Sequence, residues 1–79
     1  MTVDEILKAH RTRPFRPFTI HLADGRTYTI RHPEFLAISP TRRTVAVYLP
    51  DGLEIIDLFL VSSIWVPEES SGTGPARPQ

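Results

Sequence analysis

Cysteine is absent from the 79-residue chain. That excludes a disulfide framework, a thiolate metal site and a cysteine nucleophile, and it agrees with a reducing compartment. Long apolar runs are missing as well, since none approaches the roughly 20 residues needed to span a bilayer. The N-terminus, Met1-Thr2-Val3-Asp4-Glu5, is too acidic and polar for a secretory signal. These absences predict a soluble cytoplasmic protein that does not engage a membrane. Glycine is scarce: two of the four occur in Asp-Gly turns and two in the C-terminal tail, which leaves none for a phosphate-cradling loop. Net charge is lacking too. Nine basic side chains cancel nine acidic ones, so the total offers no argument for a polyanionic partner.

What is present is 41% apolar residues, enough for one small core and not for two. The expectation is a single domain over residues 1–67 and a disordered tail over 68–79, rich in Ser, Gly and Pro. The zero total hides a polarity along the chain. Residues 1–43 carry eight basic against four acidic side chains, and residues 44–79 carry one against five, giving +4 and −4. Eight of the nine cations are arginine, whose planar fork suits carboxylates, phosphates and aromatic faces. Coding bias toward arginine is the simpler explanation of that excess.

The first element reads as an amphipathic helix from about Val3 to Thr12. Thr2 and Glu5 have capping-box spacing. Asp4 and Glu5 suit the positive end of the helix dipole, and Arg11 and Arg13 the negative end. Val3, Ile6, Leu7 and His10 form one narrow stripe, and Pro14 ends the helix. A tandem triplet follows, Arg13-Pro14-Phe15-Arg16-Pro17-Phe18. Its prolines predict an extended, polyproline-like path, with Arg13 and Arg16 on one edge and Phe15 and Phe18 on another. Either the strip grips a phosphate backbone and stacks bases, or its rings bolt the helix onto a β-barrel while the arginines stay solvated.

Two similar segments then turn at Asp-Gly, a strong hairpin signal. In the first, a loop of Ala23, Asp24 and Gly25 pairs Ile20 with Tyr28 and Phe18 with Ile30, collecting the large apolar groups on one face. Gly25 then takes the left-handed position. The same loop length at Pro50, Asp51 and Gly52 pairs Val47 with Ile55 and Leu49 with Leu53. Asp24 and Asp51 are thereby turn formers, not catalytic carboxylates. Between the hairpins, Pro33 bends the chain ahead of a short strand over Phe35 to Ser39, and Pro40-Thr41-Arg42-Arg43 is a connection. Asp57 caps one helical turn over Leu58 to Val61, and a last strand covers about Ser63 to Val66. The predicted fold class is mainly β (α+β): an N-terminal helix followed by a five- to six-stranded antiparallel small barrel of SH3-like or Sm-like type, whose closure protects its edges.

Arg-Pro-Phe-Arg-Pro-Phe at 13–18, Asp-Gly-Arg at 24–26, His-Pro-Glu at 32–34 and Ile-Asp-Leu at 56–58 resemble a group of short bacterial proteins of unknown function. The resemblance covers nearly the whole chain to Val66 and implies no activity. The order of elements, Leu22-Ala23-Asp24-Gly25 and Val61 to Pro67 more remotely resemble the Sm-like RNA-binding proteins. That resemblance implies a small barrel, ring assembly through strand contacts and RNA around the pore. The Arg-Gly, Lys-Gly or Lys-His pair that those proteins carry before the last strand is replaced here by Phe59-Leu60-Val61-Ser62, which offers no cation.

No metal site and no cofactor are expected. His21, His32 and Glu34 lack the spacing of a recognised zinc pattern. Ser62 and Ser63 lack a nucleophile-elbow context and an evident base, and so short a chain leaves little room for a concave pocket. The expectation is a protein that is not an enzyme but a small binding module for a protein partner or for a homo-oligomer. Phe59 and Trp65 are candidate anchors, unless they complete the core; Ile64 and Trp65 must point to opposite faces. The alternative is binding of RNA or single-stranded nucleic acid through Arg13, Arg16, Arg31, Arg42 and Arg43.

Overall fold

The computed structural model describes residues 3–68. Helix α1 covers Val3–Arg11, with Asp4 and Glu5 in its first turn and Lys8, His10 and Arg11 in its last. The amide of Thr12 continues the helical pattern by donating to the Lys8 carbonyl at 3.1 Å. Of the apolar stripe, Ile6 is fully buried. The capping role read for Thr2 lies outside the described residues.

Strands β1 (Phe18–Leu22), β2 (Thr27–Ile30), β3 (Leu36–Ile38), β4 (Thr44–Leu49), β5 (Gly52–Asp57) and β6 (Val61–Trp65) follow, with 3-10 turns over Pro33–Phe35 and Leu58–Leu60. They form two separate three-stranded antiparallel sheets, ordered β2-β1-β6 and β3-β4-β5. The closed SH3-like or Sm-like barrel is therefore not what the chain builds. A barrel has no edge strands, whereas β2, β6, β3 and β5 each lie at an edge. The break falls between β2 and β3. Pro33 carries no N–H to extend a ladder, and it opens a 3-10 turn instead of a bent strand, with the Phe35 amide donating to the His32 carbonyl at 3.0 Å. The strand read for Phe35 to Ser39 accordingly shrinks to Leu36–Ile38, and the last strand starts earlier than read, at Val61.

One core unites the layers. Phe18, Ile20, Leu22, Ile30 and Val61 come from the first sheet, Leu36, Val45, Val47 and Ile56 from the second, and Ile6 from the helix. Strand β1 alternates buried and half-buried residues, which is what one packed face requires. At the triplet, Arg13 and Pro14 form a bend rather than a regular polyproline path. Phe18 is buried, Phe15 packs against the core, and their rings lie 5.9 Å apart at 56°. The rings therefore do bolt the helix to the sheets.

The first hairpin pairs as expected, Phe18 with Ile30 and Ile20 with Tyr28. Gly25 sits at φ 97°, and its amide closes the turn on the Leu22 carbonyl at 3.0 Å. The second hairpin does not copy it. Leu49 pairs with Gly52, Tyr48 with Leu53, Val47 with Glu54, Ala46 with Ile55 and Val45 with Ile56. The loop is Pro50 and Asp51 alone, so the expected pairs Val47 with Ile55 and Leu49 with Leu53 are off by one. Proline is favoured at the second position of a tight turn and glycine at the fourth, which Leu49-Pro50-Asp51-Gly52 supplies. The far end holds the same phase: the Leu58 amide donates to the Arg43 carbonyl at 2.8 Å, and Asp57 Oδ1 accepts from the Phe59 amide at 2.9 Å. Asp57 does cap the turn, over Leu58–Leu60. Of the tail read over 68–79, residues 69–79 lie outside the described residues.

Candidate functional site

A slip of one residue reverses which side chains face out, and in β5 it has a chemical consequence. Ile56 turns inward and is buried, while Leu53 and Ile55 turn outward at 49% and 60% exposure. Tyr48, opposite Leu53, is 55% exposed. Ala46, between Ala37 of β3 and Ile55 of β5, continues the same row. The outer face of the second sheet is thus an apolar strip running from the edge strand β3 to the edge strand β5. Thr44 and Asp57 pair across its one end, close to Arg42 and Arg43, and the Pro50-Asp51 turn closes the other. No reading of the sequence anticipated Tyr48, Leu53 and Ile55 as site residues. The available signal was the apolar content of β5 in both phases, which one buried face cannot absorb.

Phe59, in the second 3-10 turn, is 88% exposed, and Trp65, at the end of β6, is 44% exposed. Ile64 packs against the core while Trp65 faces outward. Leu60 and Val66 are exposed beside them in sequence.

The five candidate arginines occupy different places. Arg13 and Arg42 line one depression, Arg42 and Arg43 a second beside Phe59, and Arg31 a third. Arg16 donates to the Pro67 carbonyl oxygen, clasping the chain just after β6. Arg42 Nη1 also lies 3.9 Å from Asp4 Oδ1, an exposed and weak pair. The depression at Arg31, with Glu34, Phe35, Tyr48 and Pro50 in its walls, has a volume of about 770 Å³. It is an open groove and not an enclosed cavity.

The turn carboxylates divide as their environments dictate. Asp24 accepts from the Arg26 amide at 3.1 Å and from Arg26 Nε at 2.9 Å. The Arg26 amide, followed by its guanidinium, holds the Asp24 carboxyl below its ordinary 3.8. The Asp24 carboxylate in turn raises Arg26, which also reaches Glu54 Oε2 at 3.4 Å. This is a clasp between the tip of the first hairpin and the inner phase of β5. Ser62 Oγ donates to the His21 backbone carbonyl at 3.1 Å and not to its imidazole. His10 Nε2 donates to the Pro33 carbonyl at 2.8 Å, tying the helix to the 3-10 turn. His32 lies edge-on to Phe35, with ring centres 5.3 Å apart. Among the described residues no three His, Cys, Asp or Glu side chains are grouped to hold a metal, and no helix is long and apolar enough to cross a membrane. Comparison of the chain with known protein families, curated proteins and solved structures finds no match.

Proposed function

We propose that the chain is a non-catalytic binding module that associates with a second copy of itself through the outer face of β3-β4-β5. The register of the second hairpin carries this reading, because it sets Leu53 and Ile55 beside Tyr48 on a solvent-facing sheet. Contiguous apolar surface on a small protein marks a contact site, and exposed aromatic rings are favoured anchors. Charge favours a second copy as the occupant. Arg42 and Arg43 outnumber Asp57 at one end of the strip and Asp51 stands at the other, so a two-fold axis running across the strands sets the arginine end of each copy against Asp51 of its neighbour. Nucleic-acid binding through the arginines draws less support, since Arg31 and Arg16 stand apart from the depressions that Arg42 lines.

Sedimentation at micromolar to millimolar protein tests the reading. The expected result is a concentration-dependent dimer that Ile55→Glu weakens at least about tenfold and that added salt loosens. A monomer throughout, or a dimer indifferent to Ile55→Glu, overturns it.

A further inference from the structure

Arg42 has φ 62°, the left-handed region, and among the described residues no other non-glycine side chain does. A long side chain there is uncommon, because its Cβ crowds the backbone. The loop demands the conformation. The Ser39 amide donates to the Thr44 carbonyl and the Arg42 amide to the Ser39 carbonyl, both at 2.9 Å. Ser39 Oγ accepts from the amides of Arg43 and Thr44 at 3.2 Å each. Glycine would meet that geometry without strain, as Gly25 does at φ 97° in the first hairpin. Arginine at such a position points to a use for its side chain.

The surroundings of Arg42 supply that use. Its side chain, Arg11 and Arg13 line one depression of about 420 Å³, with Leu7, Ile38 and Pro40 as apolar wall. Arg13 is held in place: its Nη1 donates to the carbonyls of His10 at 3.0 Å and Thr12 at 2.9 Å, at the end of α1. Those bonds also satisfy carbonyls whose partial negative charge would repel an anion. Three arginines, from the last turn of α1, the bend after it and the loop before β4, thus line one concavity; their planar donors suit phosphate oxygens, and a bound phosphate would draw Arg42 from its weak, exposed pair with Asp4.

We propose that Arg11, Arg13 and Arg42 form a site for a small phosphate-bearing ligand, with Leu7, Ile38 and Pro40 contacting its organic part. The volume lies toward the lower end of ordinary ligand pockets, which run from about 300 to 1,000 Å³. A compact phosphate ester or pyrophosphate fits that space. A polynucleotide would need a longer basic track, and Arg31 lines a different depression. The site shares Arg42 with one end of the proposed self-association face, whereas Arg11 and Arg13 lie outside that face, so Arg11→Ala tests the site apart from self-association.

The test is an amide NMR titration with pyrophosphate at low ionic strength, alongside thermal unfolding. Saturable shifts centred on Arg11, Arg13 and Arg42 are expected. Arg42→Gly should weaken binding at least about tenfold while raising the melting temperature by about 4 °C, since strain leaves with the side chain. Arg11→Ala should weaken binding with little change in melting temperature. Equal shifts at Arg16 and Arg31, binding within twofold of the parent in both variants, or a lower melting temperature for Arg42→Gly would overturn the proposal. So would single-stranded RNA binding tighter than pyrophosphate with a salt slope of more than three phosphates.

Discussion

Tyr48 stands directly opposite Leu53 across β4 and β5, and both side chains face solvent. The pairing is the visible sign of a two-residue turn, and it determines which face of β5 is core. With Tyr48 opposite Leu53, Glu54 falls in the inner phase, within 3.4 Å of the guanidinium of Arg26. That contact ties the second hairpin to the tip of the first.

The register makes neighbouring isoleucines energetically unlike. Ile56 is 2% exposed and Ile55 60%. Ile56→Ala is expected to destabilise the fold by about 2 to 5 kcal/mol, as buried isoleucine truncations do. Ile55→Ala should stay within about 0.5 kcal/mol, the usual range for an exposed position. Urea unfolding of both variants at a protein concentration where the chain is monomeric decides the matter; the reverse order of effects would restore the three-residue turn.

Acid should loosen the first hairpin. Because the folded state holds the Asp24 carboxyl below its ordinary 3.8, the clasp stabilises the fold fully above that value. The contribution fades as pH falls through the lower folded value. Carboxyl NMR titration should place the Asp24 midpoint below 3.8. Arg26→Ala should raise that midpoint only part of the way, because the larger influence, the Arg26 amide, survives the substitution. A midpoint at or above the ordinary value in the unaltered chain contradicts the clasp.

Asp57 ends β5 and caps the following turn through the Phe59 amide at 2.9 Å. Asp57→Ala should cost about 1 kcal/mol, typical of a lost cap, and accelerate hydrogen exchange at the Phe59 amide. Asp57→Asn keeps an acceptor oxygen and should recover most of the loss. Equal effects from the two variants would show that charge, not the cap, matters at this position.

The first hairpin was legible because two independent signals agree. Its apolar residues share a single phase, and Gly25 is available for the left-handed turn position. The helix was legible from its acidic start, its stripe and Pro14, and the cap at Asp57 from residue type and place. The second hairpin was not legible by the same means. Leu53 and Ile55 occupy one phase and Ile56 the other, so periodicity offers two registers. The bond from Leu58 to the Arg43 carbonyl and the tight Pro50-Asp51 turn select one of them.

The same distinction applies to the candidate site. Zero net charge, the excess of arginine in residues 1–43 and the Asp-Gly turns are properties of the chain alone. Local sequence determined the elements, because caps, prolines and single-phase strands act within a few residues of themselves. Only the tertiary structure decided that the sheet stays open as two layers and that Arg11, Arg13 and Arg42 line one depression. Those outcomes depend on contacts between residues far apart in sequence, where burial of one shared core outweighs any local preference.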